Sequence, residues 1–368
     1  MDLLKIGIVI NYKNAEKKKD ELIDINSKQW LQNVDKKFTI VRKKNTFVPA
    51  DIAIGYYIIN RYPNVSLDFI SPDEISTKRF KQNDIVFIII YDLLESFHLS
   101  NKKNFYKYKL ALKNSKNVYP PYEYQKFINN KCTYYKYLSS KNIPVAPTKC
   151  ITKQKWFSKN PETYVSNLIS STKHNKWESI IAKPVYGQES KDFSSFLISK
   201  KGVFPKDKLF KYLSKNIPKY KSIVIQEYIP GFDKSNPEIR TYFINGKYMY
   251  SIITTDGDVL RPIQEGGTYK IPQKNWIYIR YLSQFVMNIL PKIDLDSGKS
   301  SILTRIDIGS GLQGSRFGYF VNEVEFVPSL YIEDQKYPII EKISNALVVV
   351  ANEYRLKKNS LPIKTIFM

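Results

Sequence analysis

Near the start of the chain, three apolar runs alternate with polar stretches: KIGIVI at residues 5–10, ADIAIGYYII at 50–59 and NDIVFIIIYDLL at 83–94. Short runs with so little polar interruption suit strands buried on both faces. Residues 1–120 are therefore expected to form a small α/β domain on a parallel sheet. The third run ends in Tyr91-Asp92, at the carboxyl end of its strand, where such sheets bind ligands. Asp92 and Glu95 are candidates for substrate contact, with a helix N-terminal acid as the alternative reading.

Pro120-Pro121 interrupts the chain and marks a boundary. The following NNKCTYYKYLSSKN predicts a short helix capped by Asn129 or Asn130, with Tyr134, Tyr137 and Leu138 as its apolar stripe. Lys131 falls in the first turn, where the helix dipole disfavours a cation unless an anion lies nearby. Next comes a strand, WESIIAKP, with Ser179, Ile181 and Lys183 on one face, and then the loop PVYGQES, small and polar enough to cover a phosphate. KDKLFKYLSKNI predicts an amphipathic helix, and KSIVIQEYIPGF a strand that stops at Pro230-Gly231. Asn245-Gly246 and Asp256-Gly257 announce hairpins. The first hairpin strand places Glu238, Arg240 and Tyr242 on one face. Residues 265–268 (EGGT) read as a turn or as an anion-binding loop. A helix is expected over 276–293, and a closing amphipathic helix over 338–355 with Ile340, Ile343, Leu347 and Tyr354 inward.

Between these two helices, residues 301–332 read as two strands. Alternation gives Leu303, Arg305 and Asp307 one face of the first strand, and Glu323 and Glu325 one face of the second. Glutamates at i and i+2 lie only about 6–7 Å apart and repel unless a cation or an arginine sits between them. If the strands are neighbours, Asp307 joins the pair in an all-oxygen site of the kind Mg²⁺ accepts. The other reading is a solvated strand face screened by lysines.

The 368 residues imply two or three domains, and 43% hydrophobic with 14% aromatic content supports packed cores. A formal charge of +24 points to anionic partners, although a chain crowded with Lys, Asn, Ile and Tyr carries such a charge through coding bias alone. The two cysteines, Cys132 and Cys150, make neither a disulfide framework nor a metal-ligand spacing, which fits a reducing, cytoplasmic compartment. The first apolar run is too short for a signal peptide or a membrane span. With only His98 and His174 and no GxSxG elbow, triad and zinc chemistry are not expected.

The order of parts over residues 120–332 resembles the ATP-grasp superfamily. That order is a helix-borne lysine, a strand-borne lysine before a small loop, a strand ending QEYI, a hairpin arginine, and then Asp and Glu-x-Glu on late strands. The likeness is to its carboxylate-amine ligases of the glutathione synthetase, D-alanyl-D-alanine ligase and glutamate ligase kind. It implies a three-lobed α/β fold: an N-terminal domain over 1–120, a central lobe over 121–230 and a C-terminal lobe with the metal site over 231–368. It also implies that Lys131 and Lys183 hold ATP phosphates. Gln226, Glu227, Tyr228 and Ile229 match an edge strand that contacts adenine, and Asp233 or Glu238 matches the acid on the ribose. Arg240 matches the arginine that meets the transferred phosphate, with Lys247 and Arg261 as weaker candidates. Asp307, Glu323 and Glu325 match the ligands of two Mg²⁺ ions. The chain departs from the family at Glu325, where many of these ligases carry Asn; the added charge strengthens metal binding but opposes the triphosphate.

The activity implied is ATP-dependent joining of a carboxylate to an amine or thiol through an acyl phosphate, acting on a small anionic substrate such as an amino acid or peptide. One alternative keeps the fold and phosphorylates an inositol polyphosphate hydroxyl. A third reading, a basic nucleic-acid-binding protein, ranks lowest because lysine is spread over every segment instead of forming one patch. No membrane association is expected, and the oligomeric state is not legible.

Overall fold

The computed structural model describes residues 3–10, 21–89, 102–186, 192–198, 203–220, 222–232, 238–255, 259–262, 271–295, 300–311, 318–331, 338–357 and 362–367. Asp92, Glu95, Asp233, residues 187–190 of the small loop, Asp256-Gly257 and residues 265–268 lie outside them. The chain forms two compact units. One comprises Met1–Lys126, Ile239–Ile306 and Glu323–Met368, and the other Phe127–Glu238 and Asp307–Asn322.

The first unit opens with β1 (Leu4–Val9), followed by the short strands β2 (Leu22–Asp24), β3 (Ile40–Arg42) and β4 (Asn45–Pro49). Then come α1 (Ala50–Arg61), β5 (Val65–Ile70), α2 (Thr77–Lys81), β6 (Ile85–Ile88), α3 (Lys102–Asn114), β7 (Val118–Tyr119) and α4 (Tyr122–Asn129), whose last turn belongs to the second unit. Strands β5-β1-β6-β7 make the expected parallel sheet, and β2-β4-β3 a small antiparallel one. One of the three apolar runs is not a strand. Residues 50–59 form most of α1, where Ile54 and Ile58 bury one face and the Asp51 carboxylate accepts from the Ile52 N–H at 2.8 Å. The strand in its place is β5, an edge strand buried only at its two ends, so its sequence VSLDFI lacks the continuous apolar signal.

In the second unit, α5 (Lys131–Ser140) precedes β8 (Thr148–Thr152), α6 (Lys153–Phe157), α7 (Pro161–His174), β9 (Ser179–Pro184), β10 (Ser194–Leu197), α8 (Lys206–Asn216) and β11 (Ser222–Glu227). The strands lie in the order β10-β9-β11-β8, all antiparallel. This places β11 inside the sheet, between β9 and β8, and corrects the expectation of an edge strand. The strand also ends at Glu227, so Tyr228 and Ile229 lie beyond it.

The first unit resumes with β12 (Ile239–Ile244), β13 (Lys247–Thr255), β14 (Val259–Pro262), α9 (Gln273–Ile289), β15 (Lys292–Ile293), β16 (Leu303–Ser310), β17 (Tyr319–Glu325), α10 (Ile339–Leu356) and β18 (Thr365–Ile366). Both β16 and β17 run from one unit into the other, and the sheet order is β14-β13-β12-β16-β17. The β12–β13 turn has positive φ at Asn245 (51°) and Gly246 (74°), the conformation an Asn-Gly hairpin turn requires. Trp276, Ile279, Leu282 and Val286 bury one face of α9, whose Ser283 hydroxyl lies 3.2 Å from that of Thr241 on β12. The closing helix α10 buries Ile340, Ile343 and Leu347 as expected, with Tyr354 only half-buried, and Ser344 donates to the Ile54 carbonyl of α1 at 3.1 Å.

Candidate active site

The second unit collects the lysines on one sheet face. In the β9–β11 register Lys183 faces Val224 and Ile181 faces Gln226, while Cys150 of β8 also faces Val224. Paired residues of an antiparallel ladder share a face, so Lys183, Ile181, Val224, Gln226 and Cys150 lie on one side of the sheet. Over that side lies α5, capped by Asn130, whose side chain accepts from the Thr133 N–H at 3.1 Å. The Lys183 ammonium donates to the Tyr135 hydroxyl at 3.0 Å and lies 5.3 Å from the centre of that ring. Tyr135 in turn donates to the Asn322 carbonyl. Lys131, only 7% exposed, is the first residue of α5, and its backbone N–H donates to the Val185 carbonyl just past β9. Both lysines therefore attach to the end of β9. Nearby, burial raises the pKa of the Tyr186 phenol, and a hydrogen bond with Asn130 opposes the shift.

The cysteines carry a correction. Cys132, the second residue of α5, is bonded to Cys150 of β8 across a Cα separation of 6.1 Å, inside the range a disulfide spans. A pair 18 residues apart has no signature in the sequence, because the helix and strand that oppose the two side chains are set by the fold. The cysteines thus give no support to a reducing compartment. Among the described residues, no helix is long and apolar enough to cross a membrane.

The residues matched to adenine and ribose contacts sit less simply. Gln226 is buried, and its amide donates to Thr148 Oγ1 at 3.0 Å, a bond inside the sheet. The backbone N–H groups of Glu227 and Tyr228 are used on the carbonyls of Pro147 and Ser179. Ile229 is core: it packs with Ala146, Phe320 and Phe232. In the same region a Cβ on Gly309 would lie 2.6 Å from the Phe320 ring and 2.8 Å from that of Phe232, so only glycine fits there. Glu238 Oε2 accepts from Asn322 Nδ2 at 2.7 Å. Arg240 is half-buried on β12 opposite Ile252, Tyr242 is fully buried against Tyr250, and Lys247 is exposed at the start of β13.

On β16 and β17 the carboxylates of Asp307, Glu323 and Glu325 come together, each offering an oxygen within 4.8 Å of the others. Asp307 is buried and the two glutamates are half-buried. The arginine that sequence reasoning placed beside Asp307 but gave no role is part of the group: Arg305 Nη2 lies 3.0 Å from Glu325 Oε1. An all-oxygen donor set suits Mg²⁺, whose ligands at about 2.0–2.1 Å lie at most about 4.2 Å apart. Oxygens that all lie within 4.8 Å of one another are near that spacing. The residues fit the ion. Asp307 and Glu323 would hold it, with a carboxylate oxygen of Glu325 as the third donor.

No protein-family profile and no curated protein matches the sequence. Solved structures match over almost its whole length. D-cycloserine synthetase DcsG aligns with a TM-score of 0.59 at 14% identity, covering 95% of this chain and 100% of that one. D-alanyl-alanine synthetase A from Vibrio cholerae O1 aligns at 0.59 with 12% identity, covering 97% and 100%. The ATP-grasp ligase PsnB in complex with minimal precursor aligns at 0.52 with 12% identity, covering 95% and 99%. The likeness at this identity is one of fold, and the chain has the ATP-grasp fold.

Proposed function

We propose that the protein is an ATP- and Mg²⁺-dependent ligase that joins a carboxylate to an amine through an acyl phosphate. The observation that carries this reading is the gathering of Asp307, Glu323 and Glu325 on neighbouring strands of an ATP-grasp fold. Lys131 and Lys183 hold the ATP phosphates as point charges, and backbone groups near Glu227–Ile229 border the base. Asp233 or Glu238 takes the ribose. Held by these groups, ATP presents its γ-phosphorus to a substrate carboxylate; an oxygen–phosphorus bond forms as the bond to the ADP oxygen breaks. Arg240 meets the transferred phosphoryl group with a planar guanidinium. The amine nitrogen then attacks the acyl carbon, phosphate leaves, and the amine loses its proton to solvent. When bound, Mg²⁺ neutralises charge on the phosphates and orients them for in-line transfer.

No side chain serves as a covalent nucleophile in this scheme, which fits a chain whose two cysteines are bonded to each other. The neighbours named above are a D-cycloserine synthetase, a D-alanyl-alanine synthetase and an ATP-grasp ligase bound to a minimal precursor, names that support a carboxylate over a polyol as acceptor. The test is a screen for ADP release with Mg²⁺ and ATP against amino acids, peptides and inositol phosphates, read by product mass. An amide product is expected. A polyol heavier by one phosphate would assign kinase chemistry instead, and DNA retention without ATP turnover would leave only the basic binding surface.

A further inference from the structure

We propose that Arg305 and Glu325 act as one unit that sets the charge of the metal cluster, so that the pair takes the place of the neutral third ligand expected at position 325. This rests on the Mg²⁺ reading of the cluster given above. Three carboxylates contribute −3, which Arg305 reduces to −2, the value of a set made from Asp, Glu and Asn. The pair is close and sheltered: 3.0 Å from Nη2 to Oε1, with side chains 7% and 22% exposed. A guanidinium keeps its charge at any physiological pH, so the offset is permanent.

Strand geometry makes the arrangement specific. Arg305 is two residues before Asp307 on β16, hence on the same face, and Glu325 is two residues after Glu323 on β17. Glu325 meets Arg305 through Oε1 and also offers a carboxylate oxygen to the cluster, so one side chain belongs to both contacts. A cluster of −3 would hold a dication more tightly but would meet a triphosphate with extra repulsion.

The probe is Mn²⁺ titrated into the full chain without nucleotide, with free ion read by electron paramagnetic resonance. Asp307→Asn should abolish binding. Glu325→Gln should weaken it by at least about 10-fold and Arg305→Met should tighten it by at least a similar factor, the lower limit being that of one charge a few ångströms from a dication at the dielectric of water. The double variant should return to within about 3-fold of wild type. In metal-free buffer each single variant should melt at least about 3 °C below the double variant, because each leaves a sheltered charge without its counterpart. Arg305→Gln is the second removal variant if Arg305→Met does not fold. Unchanged Mn²⁺ affinity on removing Arg305, with the double variant as weak as Glu325→Gln, overturns the proposal and leaves the metal reading intact. Wild-type protein that binds no Mn²⁺ overturns both.

Discussion

Lys183 and Glu325 are both half-buried charges on strands, and their surroundings treat them in opposite ways. Lys183 leans on neutral groups, the hydroxyl and ring of Tyr135, whose own proton is engaged by the Asn322 carbonyl. Glu325 leans on a full opposite charge, that of Arg305. A neutral support holds a side chain in place and leaves its charge whole. A charged support fixes position and removes charge together. The difference follows from what each region is proposed to meet. A cation for a polyanion is most useful undiminished, whereas an acid cluster for a dication that itself carries a polyanion is best kept moderate.

The largest effect expected on this contrast comes from the acids. Asp307→Asn removes the most buried carboxylate of the cluster, and the proposed ligase turnover should fall by about 100- to 1,000-fold, in the range found for losing one key electrostatic contact. Raising Mg²⁺ should recover part of the loss. A rate within a few fold of wild type would mean that the acid face is only a solvated strand. Next is the disulfide, which ties α5 to the lysine-bearing sheet face. Cys132→Ser opens a crosslink between residues 18 apart and should cost about 3 kcal/mol of stability by denaturant melting. It should also raise KM for ATP, since Lys131 is the adjacent residue. Unchanged stability would show that the bond is not formed in solution.

A smaller effect is expected of Lys183→Met. Truncating a cation proposed to hold phosphate should raise KM for ATP by about 10-fold, equivalent to about 1.4 kcal/mol, with melting temperature nearly unchanged because the lost partner is a neutral hydroxyl. A fall in melting temperature with no change in KM would reverse the comparison and make Lys183 the structural charge of the two.

Legibility from sequence divided along physical lines. Period-two alternation is a local property, and it put Asp307, Arg305, Glu323 and Glu325 on the faces where they are found. The Asn-Gly turn and the cap at Asn130 are local as well. What failed depended on distant partners. Residues 50–59 carry the composition of a buried strand, but α1 is apolar on several sides because β5 and α10 both pack against it. The resemblance implies an edge strand at 226–229, and nothing in QEYI indicates that β8, 70 or more residues earlier, pairs along β11. Ile229 is a different case: the resemblance matches it to an adenine contact made mostly through backbone groups, and a side chain in a core shared with Phe320 does not bear on that reading. The role of Arg305 was within reach: the requirement for a cation or arginine between two glutamates was stated by their spacing, and alternation already placed one on the neighbouring strand.

The smallest effect concerns a carboxylate that lies apart from the proposed metal ligands in sequence and is fully engaged in structure. Asp192, just before β10, accepts from Lys219, Tyr220 and Tyr212, the last through its backbone carbonyl. The hydrogen bonds from Lys219 and Tyr220 hold its pKa below the ordinary carboxylate value. A depressed folded-state pKa contributes stability that is present above the unfolded value near 3.9 and is lost as pH falls through the folded one. Asp192→Asn should therefore be less stable than wild type at pH 7. The gap should be no more than about 1 kcal/mol, because Lys219 is substantially exposed and screened. It should shrink only as pH falls below about 3.9 and through the lower folded-state value, where the wild-type carboxylate takes up its proton. A gap that stays constant over that interval would mean the loss is one of packing. Asp192 would then cease to be the example of a carboxylate whose charge is spent on its own fold, against which the partly neutralised acids of β17 are set.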